Sequence, residues 1–158
     1  MRILGVDPGT RVCGFGVIET SGNDARVLTF GAARSRDSAL PARLKVIYEA
    51  LTEVIREYRP DVTVVEGAFY GKNVRSAIKI GEGRGVALLA SADAGIQVEE
   101  YAPAEVKKTV TGNGRAHKSQ VQKMVRVLLG LPEVPEPEDA ADALAIAICH
   151  FHRQPVGG

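Results

Sequence analysis

One α/β domain, a mixed five-stranded sheet flanked by helices, is the fold class the residue pattern predicts, and three observations carry it. Short apolar and β-branched runs open the chain and recur at 61–66 and 97–101. Between and after them, apolar residues repeat at helical three- and four-residue steps. Turn residues, Pro8-Gly9 and Ser21-Gly22-Asn23-Asp24, divide the opening runs into a meander before strands and helices begin to alternate. With 158 residues, 45% of them hydrophobic, the chain is long enough for one core burying roughly 70% of its unfolded surface, and too short for two.

The elements follow in order. Strands are expected at Arg2 to Asp7, Val12 to Glu19 and Ala25 to Ala33. In the second, Cys13, Phe15 and Val17 take one face; Gly14, Gly16 and Ile18 take the other, where the glycines leave room for a close approach to the backbone. Leu40, Leu44, Ile47, Leu51, Val54, Ile55 and Tyr58 make residues 41–58 an amphipathic helix that stops before Arg59-Pro60. Asp61 to Glu66 reads as a strand buried on both faces. Residues 74–94 read as a helix with a glycine-rich interruption, Gly81 to Gly85, and Gln97 to Tyr101 as the last strand. Helices then fall at Pro103 to Val110, Lys118 to Leu129 and Pro137 to His152, with Pro132, Pro135 and Pro137 stiffening the final connector. Residues 1–153 are expected to form the single domain, and 154–158 a frayed C-terminal tail.

Composition excludes several classes. There is no apolar run of about 20 residues, and the opening residues lack the basic-apolar-small pattern of a secretion signal, so the expectation is a soluble, cytoplasmic protein. Cys13 and Cys149 sit in apolar segments without metal-type spacing and read as buried free thiols; His150 and His152 point to different helix faces, against zinc. The net charge of +1 hides an asymmetry. Residues 67–127 hold ten Lys or Arg against five Asp or Glu, and residues 128–158 hold one against five. A basic middle beside an acidic end suits a polyanion-binding surface next to a metal-binding carboxylate cluster, although ordinary solvated faces produce the same count.

Four acidic residues, Asp7, Glu66, Asp139 and Asp142, stand where an apolar run stops or a helix begins. Singly, each has an ordinary explanation: Asp-Pro-Gly is a turn signal, Glu66 a strand-end carboxylate, and acids in a first helical turn suit the helix dipole. Together they read differently. Asp7 and Glu66 are expected at the carboxyl ends of parallel strands, where ligands gather. Asp139 and Asp142 share a face of a helix whose continuation is small and apolar enough to pack closely on the sheet. Four converging carboxylates are costly until cations compensate them, and two Mg²⁺ ions (or Mn²⁺) about 4 Å apart serve in-line phosphodiester hydrolysis.

The basic residues fall into two groups. Lys72, Arg75 and Lys79 make one helical stripe just after Glu66, with Arg84 a possible extension. Lys107, Lys108, Arg115 and Lys118 flank the Gly112-Asn113-Gly114 turn, a loop suited to wrapping a phosphate backbone and offering Lys118 to the transition state. The stretch from Gly112 to Ser119 approaches a phosphate-loop pattern, but His117 stands where glycine is required. Phe69 fills the core or stacks on an unpaired base. The segment Ile78 to Ala94 is more apolar than one face of a surface helix requires, as expected if part of it meets a second copy of the chain.

Gly5-Val6-Asp7-Pro8-Gly9-Thr10, Val65-Glu66-Gly67-Ala68-Phe69 and Asp139-Ala140-Ala141-Asp142-Ala143-Leu144-Ala145 occur in that order, and through them the whole chain resembles the RuvC family of bacterial Holliday-junction resolvases. The resemblance implies an RNase H-like fold, a homodimer, paired nicking of four-way junction DNA with Mg²⁺ or Mn²⁺, and a branch-migration helicase as partner. It makes Asp7, Glu66, Asp139 and Asp142 the catalytic metal ligands, puts Lys107 and Lys118 near the scissile phosphate and sets Phe69 against bases at the junction centre. Three other readings compete: a nuclease of the same fold acting on RNA or RNA–DNA hybrid, a junction-binding protein that does not cut, and an actin-like or sugar-kinase-like ATPase, for which one domain is too few.

Overall fold

The computed structural model of the chain describes residues 1–67 and 73–155. Its elements run β1 (Arg2–Asp7), β2 (Val12–Ser21), β3 (Asp24–Arg34), α1 (Leu40–Tyr58), β4 (Val62–Glu66), α2 (Val74–Asp93), β5 (Gln97–Tyr101), α3 (Pro103–Thr111), α4 (Lys118–Leu128) and α5 (Glu138–Arg153). The sheet order is β3-β2-β1-β4-β5. The first three strands pair antiparallel, and β1, β4 and β5 run parallel. Strands β2 and β3 extend further into their hairpin than the residue pattern predicts, because Ser21 pairs with Asp24 across a loop of Gly22 and Asn23. Gly22 takes φ +59°, a left-handed conformation that suits glycine at this turn.

One expectation is overturned. The glycine-rich segment does not interrupt its helix: α2 is continuous from Val74 to Asp93. Tertiary packing outweighs the cost of about 1 kcal/mol per mid-helix glycine. Gly83 is buried against the β1–β2 turn, where a Cβ would stand 2.7 Å from the Gly9 carbonyl oxygen, and Ala87, Ala90 and Ser91 continue the buried face.

Strand alternation sorts the core into two layers. Ile3, Ile18, Val62 and Val64 pack with α3, α4 and α5, whereas Leu4, Val6, Cys13, Val17 and Val65 pack with α1 and α2. Each large apolar side chain so buried contributes about 1.5–3 kcal/mol. Helix α5 is the most deeply seated, with every residue from Ala143 to His150 buried. Its approach depends on three glycines: a Cβ on Gly5 would lie 2.0 Å from the Ala143 carbonyl oxygen, one on Gly14 2.0 Å from that of Asp139, and one on Gly16 2.5 Å from Leu144 Cδ2. The space expected beside Gly14 and Gly16 is therefore filled by α5. Cys13 and Cys149 are free and buried. Among the described residues no helix is long and apolar enough to cross a membrane.

Candidate active site

Asp7 ends β1 and Glu66 ends the adjacent parallel strand β4. Because Ile3, Gly5 and Asp7 alternate onto one face of the sheet, as do Val62, Val64 and Glu66, both carboxylates lie on the side covered by α5. Asp139 sits over Gly14, the register partner of Asp7. One turn on, Asp142 lines a cleft of about 260 Å³ together with Asp7, Glu66, Lys107 and Lys118. Pro103, Val106, Val121, Ala145 and Ile146 form its apolar walls. The four acids expected to converge are thus brought to one edge of the sheet, three in the cleft and Asp139 bordering Asp7 from the β2 side.

The basic residues divide. Lys107 on α3 and Lys118 at the start of α4 reach the cleft, and Lys118 donates from Nζ to Asp142 Oδ2 at 2.9 Å and to Glu138 Oε1 at 3.1 Å. Lys108 and Arg115 are exposed on the same α3–α4 corner. Arg75 and Lys79 are exposed one turn apart on α2, as the stripe requires. Arg84 does not extend that stripe; it turns to the β5 side and pairs with Glu100. Phe69 and Lys72 lie outside the described residues. Glu138 is a further acid, not among those singled out from the sequence; its position four residues before Asp142 is the signal that both can hold one cation.

Crowding sets the electrostatics. The Asp7 carboxyl is pushed up to about 7, first by burial and then by the charges of Asp142, Glu66 and Asp139, with Lys118 pulling the other way. Glu66 is raised by burial and by Asp142, against Lys107 and Lys118. Asp142 is also raised, burial outweighing its bond to Lys118. Lys118 itself loses to burial but gains more from Asp142 and then Glu138, so its proton is held more firmly than usual. The ion pair is therefore charged on the lysine side, and the rise at Asp142 reflects burial and acidic neighbours. Cys13, behind Asp7, is driven up to about 12 by burial and the Asp7 charge, which leaves it no role as a thiolate.

Among the described residues no three acidic, histidine or cysteine side chains already stand in metal-holding geometry, and Asp142 is turned onto Lys118 instead. The donor set nonetheless fits a hard divalent cation. Its ligands are all oxygen, they face a concave cleft, and their mutual repulsion has already drawn in one cation, the Lys118 ammonium.

A family model described as crossover junction endodeoxyribonuclease RuvC matches residues 3–150. A protein of that name from Syntrophotalea carbinolica is 54% identical, covering 96% of this chain and 94% of its own. Another from Desulforamulus reducens is 51% identical, covering 95% and 93%. Among solved structures, Thermus thermophilus RuvC in complex with a Holliday junction substrate is similar with TM-score 0.89 and 36% identity, over 96% of this chain and 93% of that one.

Proposed function

The chain belongs to the RuvC family of crossover junction endodeoxyribonucleases, and from that premise we propose that it resolves four-way DNA junctions by paired, symmetric nicks that leave 5′-phosphate ends. The observation that carries the proposal is the placement of Asp7, Glu66, Asp139 and Asp142 at one sheet edge beside Lys107 and Lys118.

Asp7, Glu66, Asp139 and Asp142 would hold Mg²⁺ or Mn²⁺, which would supply activation of a water and stabilisation of the leaving oxygen. The residues of the chain supply the rest. Asp7 and Glu66 are fixed by the sheet and anchor the site; Asp139 and Asp142 complete it from a helix that the glycines seat against the strands. Lys118, lining the cleft, carries a firmly held proton and stabilises charge on the phosphate, with Lys107, which lines the same cleft, assisting. Lys72, Arg75, Lys79, Lys108 and Arg115 hold the backbone without reading sequence, and Phe69 wedges at an unpaired base.

Two cuts call for two active sites. On α2, Val74, Ile78 and Leu89 are 76%, 55% and 55% exposed. Gly81 and Gly85 share their face, and among the described residues nothing lies within 4 Å of a Cβ built on either. Apolar and small residues with no partner among the described residues suit a C₂ homodimer packed through this helix.

Cleavage of a mobile synthetic four-way junction, beside linear duplex and RNA–DNA hybrid, with Mg²⁺, Mn²⁺ or EDTA, tests the proposal. Cutting confined to the junction and abolished by EDTA supports it. Cutting of the hybrid instead makes the protein an RNA-directed nuclease, and tight junction binding without cutting makes it a structural protein.

A further inference from the structure

The carboxylate edge of the sheet continues past the acids to a second basic group. Residues Asp7, Gly14 and Ala32 lie in one cross-strand row. Two residues beyond Ala32 on the same face, Arg34 ends β3, opposite Val12. Arg11 directly precedes Val12, and its carbonyl accepts the Ser35 N–H at 3.0 Å, which ties the β2 start to the β3 exit. Arg36 follows at the head of the loop into α1. All three arginines are exposed. Among the described residues none of them has a carboxylate within ion-pair distance.

The loop that carries Arg36 is held in place. Arg43, a buried residue of α1, donates from Nη1 to the carbonyls of Asp37 and Ser38 at 3.2 and 2.8 Å. Asp37, the one carboxylate of the loop, is occupied locally, with Oδ1 accepting the Ala39 N–H at 2.9 Å. The rim therefore presents its charges from a fixed backbone.

We propose that Arg11, Arg34 and Arg36 form a phosphate-binding rim that holds the sugar–phosphate backbone of the junction arm leaving the active site on the β3 side. Strand spacing and rise put the Arg34 backbone about 12 Å from that of Asp7, two strands across and two residues along. At 3.4 Å of axial rise per nucleotide, that reaches phosphates roughly three or four nucleotides from the cut. Lys107 and Lys118 approach the acids from the other side, over β4 and β5, so the acids lie between two cationic flanks and a strand crossing the cleft is held at both ends. Uncompensated guanidinium groups suit this task, since they bind phosphates bidentately and gain affinity by releasing counterions.

This inference rests on the junction-binding reading. Its test is the affinity for a labelled four-way junction, measured by fluorescence anisotropy in EDTA between 50 and 300 mM salt. The triple variant Arg11→Gln, Arg34→Gln, Arg36→Gln is compared with a control triple, Arg26→Gln, Arg56→Gln, Arg59→Gln, which removes the same charge from the opposite end of the sheet. At about 0.9 per phosphate contact, the rim variant should lose about 2–3 from the log–log salt slope and roughly 10²-fold in affinity at 0.1 M salt; the control should stay near wild type. A rim variant with wild-type slope and affinity overturns the proposal, as does a control that weakens equally, which would reduce the effect to net charge. Should the triple variant not fold, Arg34→Gln and Arg36→Gln singly each read about one unit of slope, and no change in either overturns it. Failure of the wild-type protein to bind the junction would instead sink the function from which the rim was argued.

Discussion

Replacing Asp7 by asparagine separates the cost of its charge from its use. Burial and then Asp142, Glu66 and Asp139 lift its carboxyl from the ordinary 3.8 to about 7. Between about pH 4 and pH 7 the folded protein thus holds a proton that the unfolded chain has given up. The contribution of Asp7 to the stability of the metal-free protein is greatest below that window and is lost as pH rises through it. Three pH units at 1.36 kcal/mol each set a ceiling of about 4 kcal/mol, and water in the cleft leaves roughly 2–4 kcal/mol. Asparagine keeps the shape and removes the charge. In EDTA at pH 8, Asp7→Asn should therefore melt about 5–15 °C above the wild type, with the gap closing towards pH 4. Added Mn²⁺ should reverse the order: the wild type gains stability by binding, about 2.7 kcal/mol at a hundredfold excess over Kd, while the variant gains little. The variant should also cut at least about 10³-fold more slowly, because a metal ligand is gone. Thermal melts from pH 5 to 8 in EDTA and in Mn²⁺ provide the readout. An asparagine variant that melts at or below the wild type throughout the metal-free series would refute the crowding argument.

Other perturbations test separate parts of the account. Lys118→Met removes the cation that meets Asp142 and Glu138 and should slow cutting by about 10²-fold or more while changing junction affinity less than tenfold; gel-shift and single-turnover assays separate the two. Gly14→Ala would put a methyl group 2.0 Å from the Asp139 carbonyl oxygen, so α5 must shift; a stability loss of about 1–3 kcal/mol by urea titration, with cutting largely abolished, is expected. Ile78→Asp places a charge on the exposed apolar face of α2 and should yield monomers by sedimentation at micromolar concentration, with unpaired nicks in place of paired ones.

What could be seen before the structure follows from where information is local. The strand ends at Asp7 and Glu66 were legible because each closes an apolar run before a turn, and Gly14 and Gly16 announced a close neighbour through their alternation with Cys13 and Phe15. That the neighbour is α5, and that Asp139 lies over Gly14, depends on packing between segments more than a hundred residues apart. Gly81 to Gly85 misled for the converse reason. Local propensity marks a break there, yet Gly83 is held against Gly9 by tertiary contact. Spacing alone offers Arg84 as an extension of the Lys79 stripe, whereas β5 supplies Glu100 as its partner. The rim of Arg11, Arg34 and Arg36 was invisible because cross-strand register, which no single segment encodes, brings its members together.

The most direct test is to map both nicks on a mobile junction with each of its four strands labelled in turn at the 5′ end. The account predicts two cuts at symmetric positions in strands of like polarity, made only with Mg²⁺ or Mn²⁺ and resealed by DNA ligase without further treatment. Isolated nicks in any strand, cuts that persist in EDTA, or ends that ligase cannot join would contradict it.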